Sequence, residues 1–320
     1  MTTSPTGPAQ VLTDHALLCE LAPRAERYLD RHLASAEEWF PHQFVPWSSG
    51  RNFDGPLGGQ PWAVEQAPLP APVQDALLVN LLTEDNLPSY HLELGLTLPR
   101  NGAWKEWLHH WTAEEARHSD VLRTYLHTTR SVDPVALERL RMQHLRTGHE
   151  SGYSTLTHRL IYLAVQELAT RISHRNTGAL CQDPIAEQLM ARIAADENLH
   201  MLFYRDLVAD LFDLKPDAAT IALADVLEGF QMPGQNMPGF QHRAMRIAAH
   251  GIYDPHIHRD QVVLPLLRKW SVQERTDLTA PGEQARDRID TLLATLLDQS
   301  DRLDRIRPRL QRERATTRSS

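Results

Sequence analysis

The chain has 320 residues, 42% hydrophobic and 23% charged, enough to bury a sizeable core in one or two domains and incompatible with disorder throughout. A formal net charge of -8 argues against nucleic acid as the main partner, because phosphate contacts need a basic face. Only Cys19 and Cys181 are present, too few for a disulfide framework and not in a Cys-x-x-Cys arrangement, so a reducing compartment, the cytoplasm, is expected.

Residues 1–10 are polar and lack the basic and apolar regions of a secretory signal. Apolar runs such as 160–165 are far too short to span a bilayer, so no integral membrane protein is expected. Apolar residues recur at spacings of three and four, which predicts helices over 70–98, 103–128, 155–180 and 184–212. Pro99-Arg100-Asn101-Gly102 and Cys181-Gln182-Asp183-Pro184 mark turns within each pair, and residues 129–154 form a polar crossover between the pairs. Two helical hairpins joined by one longer connection predict an all-α, ferritin-like four-helix bundle. A helix near 217–230, a Met/Pro/Gly loop over 231–239 and two or three more helices are expected to pack around it. Residues 1–300 are read as one domain and the Arg-rich 301–320 as a mobile tail.

The chemistry lies on the inward stripes of the four bundle helices. In the second, positions 104, 108, 111, 115, 118, 122 and 125 share a face and read Trp, Leu, Trp, Glu, His, Leu, Tyr. In the fourth, positions 193, 197, 200, 204, 208 and 211 read Ile, Glu, His, Tyr, Val, Leu. Glu115/His118 and Glu197/His200 thus repeat one Glu-x-x-His design, whose spacing sets both side chains one turn apart on one face. The other two helices each supply a carboxylate among aliphatics: Val73, Leu77 and Leu81 lead to Glu84, and Leu156, Leu160 and Leu163 lead to Glu167. A lone Glu-x-x-His is weak. Four buried carboxylates on converging faces, however, require a shared positive charge, and two divalent ions supply it. This is the donor set of carboxylate-bridged di-iron and di-manganese bundles; mixed carboxylate and imidazole donors suit iron or manganese.

Four segments carry a family resemblance: Thr83-Glu84-Asp85-Asn86-Leu87-Pro88-Ser89-Tyr90, Trp111-Thr112-Ala113-Glu114-Glu115-Ala116-Arg117-His118, Gln166-Glu167-Leu168-Ala169-Thr170 running into Ile172-Ser173-His174, and Ala195-Asp196-Glu197-Asn198-Leu199-His200. Over about 18–300 the chain resembles the acyl-[acyl carrier protein] desaturases of plant plastids and actinobacteria, the latter more closely. The resemblance implies a homodimer and a long, bent apolar pocket. It also implies two iron ions per chain, with manganese a possible substitute, on Glu84, Glu115, His118, Glu167, Glu197 and His200. It implies an O2-dependent desaturation of an acyl chain on acyl carrier protein, with electrons from a ferredoxin-type donor. The family's threonine beside the oxygen-binding face falls on Thr170, and a surface tryptophan and an aspartate of its electron route fall on Trp39 and Asp196. Asp196 is also placed to accept the second N–H of His118, a common outer partner of a metal-bound imidazole; by pseudo-symmetry Glu114 would serve His200. Ala116 departs from the family's usual Asn. Pro88, lacking an N–H, is expected to kink the first helix beside Glu84.

Three other readings use the same residues. A ribonucleotide reductase radical subunit would carry a tyrosine one turn after the first histidine, where this chain has Leu122. A hydroxylase or N-oxygenase on a carrier-bound substrate would keep the whole set, and a ferritin-like iron store would keep the bundle without the reaction. His109, His110, His174, His256 and His258 have no apparent partner carboxylate and are assigned to surface or core.

Overall fold

The computed structural model describes residues 13–231 and 237–312. Among them the only β pairing is an isolated bridge between Phe53 and Gln60. Helix α1 (Asp14–Ser35) is capped by Thr13, whose hydroxyl accepts from Ala16 N at 3.2 Å. A long irregular segment with short 3-10 turns then leads to α2 (Ala71–Asp85) and α3 (Leu87–Thr97), followed by α4 (Gly102–Thr128), α5 (Pro134–Thr147), α6 (Leu156–Leu180) and α7 (Pro184–Leu214).

The sequence places one helix over 70–98; the chain breaks it at Asn86, and Pro88 occupies the first turn of α3, where a missing N–H leaves no hydrogen bond unmade. The Tyr90 hydroxyl donates to the carbonyl of Thr83 across the break, at 3.1 Å. The polar crossover is itself helical: Asp133 caps α5, accepting from Val135 N at 2.9 Å. On α5, Arg141 grips Asp85 through Nε at 2.6 Å and Nη2 at 2.9 Å, beside the break.

The α2/α3–α4 and α6–α7 hairpins form the bundle, with α6 and α7 packed along most of their length. Their close approach depends on Gly178, where a Cβ would come within 2.9 Å of the Met190 Cβ. Helix α1 covers α4 and α7. After the bundle come α8 (Pro216–Gly229), α9 (Phe240–Ala249), α10 (Pro255–Ile257), a π-helical segment His258–Val263, α11 (Leu264–Lys269) and α12 (Ala280–Arg312). Part of the Met/Pro/Gly loop, 232–236, lies outside the described residues.

The Arg-rich segment expected as a tail from 301 is helical through Arg312. Leu303 is buried, and Arg307 binds Asp254 at 2.9 Å and the carbonyl of Ala248 at 2.8 Å. Its apolar stripe is thin, so composition alone reads as a tail; residues 313–320 lie outside the description. No helix among the described residues is long and apolar enough to cross a membrane.

Two large apolar clusters make up most of the core, and a small third one holds Ala76, Ile247 and Ile252. One of the large clusters contains Leu77, Leu81, Val121, Leu122, Met190 and Ile193; the other contains Trp104, Trp107, Leu160, Phe203, Tyr204 and Leu207. Helices α4 and α7 run from one cluster to the other, and the polar residues between them, Glu115 and His118 on α4 and Glu197 and His200 on α7, are where the sequence places its chemistry.

Candidate metal centre

All six side chains expected as ligands are buried, with Glu115 the most accessible at 6%. Their polar atoms form two overlapping groups, Glu84/Glu115/His118/Glu197 and Glu115/Glu167/Glu197/His200, each within 4.8 Å. His118 Nδ1 lies 3.8 Å from Glu84, 3.6 Å from Glu115 and 3.5 Å from Glu197. His200 Nδ1 lies 2.9 Å from Glu115, 3.7 Å from Glu167 and 3.7 Å from Glu197. Glu115 and Glu197 belong to both groups.

His118 Nδ1, His200 Nδ1, Glu115 Oε1 and Glu197 Oε2 are buried and make no well-directed hydrogen bond, although His200 Nδ1 and Glu115 Oε1 lie 2.9 Å apart. Unsatisfied buried polar atoms cost about 1–3 kcal/mol each, and four converging on one point are what a pair of cations would satisfy. Carboxylate oxygens and imidazole nitrogens are the donors that iron and manganese accept, so the residues present fit such ions.

The other ring nitrogen of each histidine faces outward. His118 Nε2 donates to Asp196 Oδ2 at 3.3 Å, and the same oxygen accepts from Trp39 Nε1 at 2.7 Å. Arg117 approaches Asp196 at 3.4 Å and Arg192 pairs with its other oxygen. Arg117 also lies over the Trp39 ring, 5.0 Å from its centroid. Trp39, expected at the surface, is only 3% exposed, because the segment after α1 folds over it and Phe44 packs on its edge. On the opposite side His200 Nε2 donates to Glu114 Oε2 at 2.8 Å, as the internal echo anticipates.

Thr170 lines a small cavity, about 10 Å³, together with Glu84, Glu115, Glu167 and Glu197. Its hydroxyl lies 3.1 Å from each of the carbonyls of Gln166 and Glu167, one turn back along its helix. Trp111 Nε1 donates to Glu167 at 3.2 Å. A neighbouring cavity of about 30 Å³ shares Tyr90, Trp111 and Gln166 and continues past Leu94 and Leu163.

Burial and the neighbouring groups set how readily each of these side chains ionises. Burial pushes Glu115 up to about 7, reinforced by the charges of Glu197 and Glu84. Burial likewise holds Glu167 well above the ordinary carboxylate range, with Glu197 adding to it. For Glu197 burial acts in the same direction, but bonds from His118, His174 and His200 outweigh it and hold the group well below that range. Burial opposes charge on His118 and His200 too; the hydrogen bonds they donate, first to Asp196 and to Glu114 respectively, overcome it and keep both basic.

A fatty acid desaturase family model matches residues 13–319. DesA1 of Mycobacterium tuberculosis, provisionally named an acyl-[acyl-carrier-protein] desaturase, is 50% identical over 293 residues, 89% of this chain and 86% of its own. The chloroplastic stearoyl-[acyl-carrier-protein] 9-desaturase of Gossypium hirsutum is 30% identical over 287 residues, 84% of this chain and 72% of its own. The X-ray structure of DesA2 of M. tuberculosis H37Rv, provisionally named an acyl-ACP desaturase, superposes with a TM-score of 0.71 at 31% identity, over 84% of this chain and 99% of that one.

The chain belongs to the acyl-[acyl-carrier-protein] desaturase family. It is an oxidoreductase of that kind on a helical, ferritin-like fold.

Within this desaturase, Ala116 is exposed, so its departure from the family's Asn lies away from the centre. His109, His110 and His256 are exposed and His258 is partly buried; contrary to the sequence reading, His110 lies 3.9 Å from Glu106 and His256 3.3 Å from Asp260, each one turn away. His174 corrects the sequence reading, which left it without a partner. It is 1% exposed, and its Nε2 lies 3.1 Å from Glu84 and 3.6 Å from Glu197. It stands seven residues after Glu167, two turns along the same face, and that spacing was the available signal. His32 is a second omission. It continues the stripe Leu17, Leu21, Ala25, Leu29 of α1 and is 3% exposed.

Proposed function

We propose that this chain is an O2-dependent di-iron desaturase that introduces a cis double bond into a fatty acyl chain carried on acyl carrier protein, with electrons from a ferredoxin-type donor. It works as a cytoplasmic homodimer. The observation that carries this reading is the convergence of four carboxylates and two imidazoles, with orphaned inward-facing atoms, in the core of a desaturase-family bundle.

Glu84 and His118 would hold one ion, Glu167 and His200 the other, and Glu115 and Glu197 both; manganese could take the same donors. Iron bound there supplies the oxidising power for the balanced reaction CH2–CH2 + O2 + 2e⁻ + 2H⁺ → CH=CH + 2H2O. The protein's part is to hold one pair of methylenes beside the centre and to keep bulk water away. Trp111 fixes Glu167, and His174 fixes Glu84, so the carboxylates are oriented before substrate arrives. Thr170 Oγ borders the cavity; rotation of its hydroxyl from the helix carbonyls to the cavity would let it pass a proton there. Trp39 and Asp196 give a hydrogen-bonded route from the segment after α1 to His118.

Among the described residues, two adjoining cavities of about 10 and 30 Å³ border the centre. Tyr90, Trp111 and Gln166 line both, and Leu94 and Leu163 extend the second away from it, so an acyl chain on this line would lie between α3, α4 and α6.

The decisive experiment incubates iron-loaded protein, ferredoxin, its reductase, NADPH and O2 with acyl carrier proteins bearing C14 to C24 chains, and reads the released fatty acids by mass spectrometry. A product two mass units lighter is expected. A gain of sixteen would replace desaturation by hydroxylation, and no product despite two reduced irons per chain would overturn the substrate assignment.

A further inference from the structure

We propose that His32 is a positioning residue for one half of the centre: it fixes the Glu114 carboxylate, and Glu114 in turn orients His200. The inference rests on the proposed reading of the six residues as metal ligands.

His32 lies on α1, outside the helices that carry those six. Its Nε2 is 3.0 Å from Glu114 Oε2 and 3.2 Å from Oε1, so it addresses both oxygens. Glu114 Oε2 is also the atom that takes the outer N–H of His200, at 2.8 Å. The two imidazoles therefore share one carboxylate and lie nearly parallel, 5.8 Å apart with 22° between their planes. The Trp107 ring meets His32 edge-on at 5.1 Å and is itself stacked on Phe203 at 3.6 Å. His32 is thus fixed by packing before it makes any hydrogen bond.

The remaining cation near Glu114 is Arg117 at 3.8 Å, beyond hydrogen-bond length. Without His32, one side of the carboxylate would lose its only short contact, and rotation of Glu114 would release His200. The direct partner of a ligand imidazole, here Glu114, typically changes metal affinity 10–100-fold, which sets the upper limit for His32 acting through it. Helix α1 would then be part of the centre's machinery, although it contributes no residue to the inner cluster.

The test titrates Co2+ into metal-free wild type, His32→Leu, His32→Gln and Asp196→Asn, following the cobalt absorption bands, with circular dichroism melts alongside. Two binding steps are expected in the wild type. His32→Leu should weaken one step by up to roughly 10–100-fold and leave the other unchanged. Asp196→Asn should weaken the step that His32→Leu spares. His32→Gln, whose amide N–H can occupy the place of Nε2, should restore most of the loss, which a space-filling role alone would not predict. Two unchanged steps in His32→Leu, equal weakening of both, or no advantage of glutamine over leucine would each overturn the proposal. A wild type that binds no cobalt would instead overturn the ligand reading on which it rests.

Discussion

Behind His118, Asp196 receives an indole N–H at 2.7 Å and the guanidinium groups of Arg117 and Arg192. Behind His200, Glu114 receives a second imidazole at 3.0 Å, with Arg117 no nearer than 3.8 Å. The inner pattern is nearly two-fold, Glu-x-x-His facing Glu-x-x-His, but the outer support is not. Each outer carboxylate sits next to one inner glutamate and serves the histidine of the opposite helix, so α4 and α7 brace each other in both directions. The lesson is that a repeated motif can fix a ligand set while unrelated segments, here α1 and the chain that follows it, make the two halves different.

The largest effect expected comes from removing a shared carboxylate. Glu115→Ala or Glu197→Ala should abolish metal binding at both positions and all turnover, whereas Glu167→Ala should abolish turnover and still bind one ion. Metal analysis with an activity assay checks this, and one ion retained in Glu197→Ala would break the assignment of shared ligands. Next, Asp196→Asn and Glu114→Gln should each cost about 10–100-fold in affinity, each at its own half. Losses falling on the same half would remove the distinction between them.

Acidity gives a third, smaller test. Glu115 is raised to about 7 by burial first and then by Glu197 and Glu84, so in the metal-free protein its stabilising contribution is present below the ordinary carboxylate range and lost as pH rises through about 7. A cation takes the place of that proton, so affinity should fall about tenfold per pH unit on acidification below about 7 for each proton displaced. Titrations at pH 6, 7 and 8 would show it, and a flat profile would contradict it. The smallest effect is expected for Trp39→Phe, which removes one indole N–H from Asp196 but leaves both arginines. A loss of about 1 kcal/mol, lowering the melting temperature by about 1–2 °C, is expected. A larger fall would mean that Trp39, rather than the arginines, holds Asp196.

The bundle and its buried cluster of carboxylates and imidazoles were legible because burying a carboxylate disrupts an apolar stripe in a way that can be seen in one dimension. Glu84, Glu115, Glu167 and Glu197 each interrupt a helical run of aliphatic or aromatic residues, and the structure brings all four together. His32 and His174 were missed for different reasons. A histidine on a mostly apolar face is ordinary, and the hydrogen-bond partner of His32, Glu114, is 82 residues away. Helix α5 was hidden by its many polar side chains, and the break at Asn86 was visible only as a proline. The cavities beside the centre could not be read at all, because their lining comes from side chains on several helices, Tyr90 on α3, Trp111 on α4 and Gln166 on α6 among them.

The two large apolar clusters have a consequence for how this protein can change over time. The bundle would be simpler to stabilise with its polar layer replaced: apolar residues of similar volume in place of buried charged groups are often neutral or stabilising by 1–4 kcal/mol, and here they would fuse two cores into one. Drift toward robustness and retention of oxidising chemistry therefore pull these positions in opposite directions. A descendant freed from catalysis should fill the layer with leucine, gain thermal stability, and keep every helix.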